Sequence, residues 1–362
     1  MGPDFQDTHE ELRSVASDLL AKERSNPAGV GWPVLARAGW IGLEAPEDFG
    51  GAGATFGEVA IILDEMGRAA SRSAYVGGAV LAVGTLSALK SNPWRDRLLR
   101  GVVSGAVRSA VAVGGGDDAA AVHVPFELEQ TTRGLRMHGR SVFVPDAGDA
   151  QHLLLPARGP GGAPVIVDVS AQAEGLTITP QPVVDETRRL AALSADGIAV
   201  DESWVWQFEG DPEAQVRGLA NRAAVAIACD SLGLSEAMLS ATVSYAGVRQ
   251  QFGRPIGSFQ AVKHACADML VQISVARLLV GAAVDAVVDG SPDGTAAASM
   301  AKSYACSAAV QVAGKAMQLH GGIGYTWESG IHVYLKRAAL NRSLFGSPAA
   351  HRKRLAQRYL HK

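Results

Sequence analysis

The sequence is short of the features that mark several protein classes. It has three cysteines, Cys229, Cys266 and Cys306, far apart in apolar helical context and with no Cys-x-x-Cys pair. That speaks against a disulfide framework or a metal site and for core thiols in a reducing compartment. No stretch approaches the roughly 20 uncharged apolar residues needed to span a membrane. The opening MGPDFQDTHEELRSVASDLL is acidic where a signal peptide needs positive charge and an unbroken apolar run. A cytoplasmic protein is therefore expected. The charge excess is small, 33 basic against 36 acidic residues with a net charge of -3, so nothing draws the whole molecule to nucleic acid or anionic lipid. Repeats and low-complexity segments are also lacking.

What is present suits a large buried core. The 362 residues are 48% hydrophobic, which at this length suggests two or three folding units. Low aromatic content with abundant alanine favours close helix packing. From about Phe5 to Leu99 apolar residues recur at helical spacing: Leu12, Val15 and Leu19; Val34, Leu35 and Ala38; Val59, Ile62, Leu63 and Met66. Between Val102 and Gln207 the period moves towards two. Runs at Ser109–Val113, Phe126–Thr131, Leu135–His138, Val142–Val144, His152–Leu155, Val165–Val169 and Leu176–Thr179 read as a small antiparallel β domain. Beyond Pro212 long amphipathic helices are expected over Glu213–Arg249, Phe259–Asp289 and Ala296–Leu319, giving an antiparallel bundle. The expected domains are residues 1–101, helical; 102–209, β; and 210–362, a four-helix bundle.

Two segments carry chemistry. Arg249-Gln-Gln-Phe-Gly-Arg-Pro-Ile-Gly-Ser-Phe-Gln-Ala-Val-Lys-His264 joins two long helices and offers a guanidinium fork, amide side chains and an aromatic face. These suit a diphosphate with an attached adenosine. Gln318-Leu-His-Gly-Gly-Ile-Gly-Tyr325 ends a helix with glycines that let backbone N–H groups approach an anion.

Both segments resemble the acyl-CoA dehydrogenase family, whose members read Arg-x-x-Phe-Gly-x-x-Ile-x-x-x-Gln and Gln-x-x-Gly-Gly-x-Gly at these sites. Gly39-Trp-Ile-Gly-Leu-Glu-Ala-Pro-Glu-Asp-Phe-Gly-Gly51 is similar to the family's N-terminal turn, and the order helices, β domain, helices matches as well. The resemblance implies an α+β fold of three domains and an FAD lying across two subunits. One subunit holds the isoalloxazine and supplies the base; its neighbour grips the ADP half. Carried over, Arg249, Gln251, Phe252, Gln260, Gln318, Gly321 and Gly322 are expected to contact the ADP end of FAD.

The family pattern fails elsewhere. Its reaction takes an α-proton to a carboxylate while hydride leaves the β-carbon, and losing such a base costs about 10²–10⁴ in rate. Alignment on Gly346 puts Phe345 at the usual Glu position. The alternative position on the first bundle helix is Ala223. The flavin-side motif Thr-Glu-Pro-x-x-Gly-Ser-Asp is matched only by Val111-Ala-Val-Gly-Gly-Gly-Asp-Asp118. Arg140-Ser-Val-Phe-Val-Pro145 replaces Lys-x-Trp-Ile-Thr, so Phe143 stands for Trp and Pro145 for a hydrogen-bonding Thr.

Kept neighbour-facing residues beside an eroded own site resemble the non-catalytic β subunits of actinobacterial α2β2 steroid-degradation acyl-CoA dehydrogenases. That implies FAD shared with a homologous catalytic subunit, an acyl-CoA bound mainly by that partner, and no nucleic-acid or membrane role. Two alternatives are a homotetrameric dehydrogenase with an unusual base, such as Glu328, and a flavin-free structural or acyl-binding protein. Of the remaining candidates, Asp230 is expected to cap or pair, Asp117 and Asp118 to form a turn, and His320 either to meet a phosphate or to end its helix. The basic tail from Arg352 to Lys362 reads as a solvated terminal helix.

Overall fold

The computed structural model describes residues 3–24, 26, 29–113 and 124–360. Gly114 to Asp118, including Asp117 and Asp118, and the terminal His361 and Lys362 lie outside the described residues.

The N-terminal part is α1 (Pro3–Glu23), α2 (Trp32–Arg37), α3 (Phe56–Arg68), α4 (Ala82–Ser87) and α5 (Pro93–Val103). Thr55 opens α3 through a capping box with Glu58, and Asn92 caps α5 ahead of Pro93. Val59, Ile62, Leu63 and Met66 are all buried, as their spacing requires. On α1 the buried stripe is rotated from expectation: Ala16 and Leu20 are buried, whereas Val15 faces outward.

The middle part is a single curled sheet of β1 (Ser109–Val111), β2 (Phe126–Thr131), β3 (Gly134–Pro145), β4 (His152–Arg158), β5 (Pro164–Ser170), β6 (Leu176–Gln181), β7 (Leu190–Val200) and β8 (Val205–Trp206), ordered β6-β7-β3-β2-β4-β5-β8 with β1 on β4. It is mixed, not antiparallel: β4 pairs in parallel with both β1 and β2. Those partners are far apart in sequence, so no local turn announces them. The runs at Leu135–His138 and Val142–Val144 are one strand with two register shifts. The Ala- and Gly-bearing β7 has weak strand propensity and is held by partners on both sides.

The C-terminal part holds α6 (Pro212–Val248), α7 (Gln260–Val288), α8 (Gly294–His320), α9 (Ile331–Ser343) and α10 (Pro348–Leu360). Helices α6, α7, α8 and α9 form the expected bundle, and α10 adds a fifth helix against α8. The bundle docks on the N-terminal part where α3 crosses α6. A Cβ on Gly67 would sit 2.0 Å from the Asp230 carbonyl oxygen, and one on Gly233 would sit 1.9 Å from that of Asp64. Two glycines facing each other's backbone thus set the closest helix crossing. One apolar cluster runs through both helical parts and a second fills the curled sheet. Cys229 and Cys306 are buried, but Cys266 is only partly so, on α7 and not in the core.

Candidate functional site

The two motifs meet at one end of the bundle. Arg249 ends α6, its N–H donating to Tyr245 O at 2.9 Å. Gln250–Gln251 then pairs with Arg254–Pro255 as a two-residue hairpin, with Phe252 at φ 51° and Gly253 at φ 75°. Positive φ at both tip residues is the twist-matched hairpin turn, in which glycine is easy and phenylalanine strained. At this tip Phe252 is 92% exposed. Its ring meets Phe259 edge-on at 6.1 Å, and the Arg254 guanidinium lies 4.2 Å over the Phe259 ring.

The second motif comes from the end of α8. His320 stacks on Tyr245 with ring centroids 4.5 Å apart, and its Nδ1 donates to Ala316 O at 2.7 Å. This stack ties the glycine loop to the turn of α6 just before Arg249. His320 is thereby anchored at the base of the loop, where α8 ends. Gly321 has φ 61°, and a Cβ on Gly321 or Gly322 would meet nothing within 4 Å, so their backbone lies open to solvent. Gln318 Oε1 accepts from Lys315 Nζ at 3.1 Å, and Gln260 Nε2 lies 3.4 Å from His264 Nε2. Among the described residues, the side chains of Arg249 and Gln251 make no hydrogen bond or ion pair. The sequence reading did not single out Tyr245 or Arg254; the position of Tyr245 one helical turn before Arg249 was the available signal.

The positions expected for a base are closed. Ala223 is fully buried. Its neighbour Arg222 forms an ion pair with Glu44, donates to Val80 O at 2.8 Å and lies 4.6 Å over the Phe56 ring. Phe345 is buried at φ 57° in the loop between α9 and α10. That loop is fixed from two sides. Buried Lys302 donates to the carbonyls of Asn341 and Gly346 at 2.9 Å each, with burial pulling its pKa down. His351 Nε2 donates to Phe345 O at 3.0 Å, so Nδ1 is the acceptor for Ser299 Oγ at 3.2 Å. Burial, with Lys302 and Arg354 nearby, lowers the His351 pKa to about 4 and keeps this neutral tautomer.

Glu328 is exposed in the loop before α9, and hydrogen bonds from its own backbone and Thr326 lower its pKa. A carboxylate so stabilised in its charged form, without a cleft, is poorly suited to take a proton.

On the sheet side, Phe143 has φ 55° and Pro145 ends β3. A π-helical stretch, Tyr75–Leu81, packs directly on this point. A Cβ on Gly77 would be 2.6 Å from Pro145 O, and Gly77 N–H donates to Asp146 Oδ2 at 3.1 Å. Burial raises the Asp146 pKa to about 7. Asp230 pairs, as expected of it, and in doing so joins all three parts of the fold. It accepts from Arg337 Nε at 3.0 Å and Asn341 Nδ2 at 2.6 Å, and faces Arg188 at 3.1 Å. Arg337 also donates to Ser71 O at 2.9 Å and Thr187 Oγ1 at 2.7 Å. Burial alone would raise the Asp230 pKa, but Arg337 and Arg188 hold it down to about 2.

The α7 helix departs most from expectation. Instead of a polar outer face it exposes Leu270, Val271, Val275 and Leu278, the last 76% exposed. By length and composition alone α6 and α7 could each cross a membrane, but α6 is a buried core helix and only α7 shows an apolar flank. The sequence reading missed this because Leu278 and Val271 look the same whether they face a core or a neighbour.

Comparison with known proteins places these features. Residues 6–106 match the family model described as acyl-CoA dehydrogenase, N-terminal domain, and residues 214–360 the one described as acyl-CoA dehydrogenase, C-terminal domain. The chain is 31% identical to acyl-CoA dehydrogenase IpdE2 of Mycolicibacterium smegmatis, covering 90% of this chain and 86% of that protein. It superposes on the Tcur3481-Tcur3483 steroid ACAD G363A variant with TM-score 0.84 and 30% identity, covering 98% of each chain. The ChsE4-ChsE5 complex from Mycobacterium tuberculosis shares the fold, with TM-score 0.88, 23% identity and coverage of 98% and 97%.

Proposed function

Since this chain belongs to the acyl-CoA dehydrogenase family, we propose that it acts as the non-catalytic subunit of a mixed assembly, completing the FAD site of a homologous catalytic partner. The supporting observation is the contrast between its two half-sites. At the hairpin and glycine loop, Arg249, Gln251, Phe252, Gly321 and Gly322 are exposed, and the Arg249 and Gln251 side chains are unpaired among the described residues, which suits the ADP half of FAD. Arg249 would pair with the pyrophosphate, Phe252 would offer a ring face to the adenine, and the glycine N–H groups would meet an anion. Gln318 and Gln260 flank this surface as amide partners. Among the described residues on the chain's own ring side, Pro145 offers no N–H, Phe143 no hydrogen-bonding side chain, and Gly77 packs against the strand end, a poor fit to an isoalloxazine.

FAD, when bound, supplies the hydride acceptor for α,β-dehydrogenation of an acyl-CoA thioester. The residues of this chain hold its nucleotide end, and the proton-accepting carboxylate belongs to the partner, since Ala223 and Phe345 stand at both base positions here. The bare apolar flank of α7 fits a chain that buries it against a neighbour. The assembly proposed is an α2β2 heterotetramer with two FADs, a reading supported by the similarity to a two-component steroid ACAD. A steroid-derived acyl group is the substrate suggested by similarity to the 30%-identical steroid ACAD.

The test is the visible absorbance of the chain expressed alone and together with a neighbouring acyl-CoA dehydrogenase. The expected result is little flavin alone and a yellow complex with two FADs per four chains. Stoichiometric flavin with turnover by the isolated chain would instead identify a homotetramer. No flavin in any combination would identify a structural or acyl-binding protein.

A further inference from the structure

A cavity of about 520 Å³ lies between α5 and the helix-facing side of the β4–β5 pair, remote in sequence from both nucleotide-side motifs. Its size falls in the range of small-ligand sites. On β4, His152 points to the same side as Leu154, which packs into the helical core. His152 stands opposite Ser170 and diagonal to Asp168 in the antiparallel register, so the three share one face.

The polar groups are arranged for binding. His152 Nδ1 lies 2.9 and 3.1 Å from the two Asp168 oxygens, which fixes its proton on Nδ1 and leaves Nε2 without a partner among the described residues. The hydrogen bond that His152 donates to Asp168 raises the His152 pKa, so the ring takes up a proton more readily. Arg97 lines the same cavity, is exposed, and makes no ion pair among the described residues. Trp94 and Trp204 stand on the walls with 53% and 44% of their surface exposed, beside Leu98 and Val107. Neither indole N–H finds an intrachain acceptor among the described residues. Ser170 Oγ accepts from Gln172 N–H at 3.3 Å and is not bonded to His152, so the cluster is not wired as a nucleophile and base.

We propose that this cavity binds a planar aromatic anion, its ring against the Trp94 and Trp204 indoles and its anionic group between Arg97 and Nε2 of His152. Indoles offer faces for a ring, and a guanidinium beside an imidazole suits a carboxylate or phosphate. Either an aromatic carboxylate or a purine nucleotide has this chemistry.

Benzoate and adenosine 5′-monophosphate distinguish these sources in titrations of the full chain, followed by tryptophan fluorescence and calorimetry. One of the two is expected to saturate a single site below about 1 mM. Arg97→Glu and Trp94→Ala, both at exposed positions, should each weaken it at least about tenfold. Arg249→Ala should leave it unchanged, which separates this cavity from the flavin-side surface. Absence of saturation by both probes overturns the proposal. So does binding that is indifferent to Arg97→Glu, or that is lost in Arg249→Ala.

Discussion

The carbonyl oxygen of Pro145 lies so close to Gly77 that a Cβ there would be 2.6 Å away, so the π-helical stretch packs directly on the end of β3. Under the proposed non-catalytic role, restoring a base alone is expected not to restore an enzyme. Phe345→Glu returns a carboxylate to the loop held by Lys302 and His351, but supplies no donors for a flavin ring. The isolated variant is expected to purify without flavin and to show no acyl-CoA-dependent dye reduction. Measurable turnover by that variant would contradict the proposed non-catalytic role.

The Arg249 side chain makes no hydrogen bond or ion pair among the described residues, so its removal should be felt mainly by the cofactor. A charge-assisted bond is worth about 1.5–3 kcal/mol, which corresponds to roughly 10- to 150-fold in FAD affinity. In the co-expressed complex, Arg249→Ala should lower the flavin content seen by absorbance. The thermal unfolding of the isolated chain should not move.

Leu278 projects from α7 with 76% of its surface exposed. Burying a leucine stabilises association by about 1.5–3 kcal/mol, and a carboxylate there would add desolvation cost. Leu278→Glu is expected to shift the complex towards separate chains in light scattering. The melting temperature of the isolated chain should change little. An undisturbed complex would remove this flank from the interface.

Asp230 and Arg337 are both almost fully buried, and each keeps the other charged. Removing one partner strands the other, at a cost of about 3–5 kcal/mol. Arg337→Met should unfold at markedly lower denaturant concentration than the parent. Loss below about 1 kcal/mol would mean that the network is incidental to the joining of the three parts.

His351 makes the fold acid-sensitive. Its folded pKa of about 4 lies below the ordinary value of 6.5, so between those limits the unfolded chain binds the extra proton. Stability from this residue is complete above about pH 6.5 and is lost as pH falls towards 4, by up to about 3 kcal/mol. In denaturant titrations His351→Gln should flatten this part of the pH profile. A parent and variant with parallel profiles would contradict the buried neutral ring.

The sequence carried the helices well, because Val59, Ile62, Leu63 and Met66 state one face by their spacing. The turn at Phe252–Gly253 and the helix end at Gly321 were legible as well, since both need a positive φ. The parallel pairing of β4 with β1 and β2 was not legible, because register between distant strands is settled by tertiary packing. The Arg337–Asp230 contact spans α9 and α6, and no local pattern joins those two residues. For α7 the apolar count was visible, but not which side of the helix would remain bare.

Under the proposed pairing, the bare flank of α7 also governs how the polypeptide must be made. Any copy released from the ribosome ahead of its companion would carry a bare apolar side until the companion covers it. Matched translation of the two products would shorten the time for which that side stays bare.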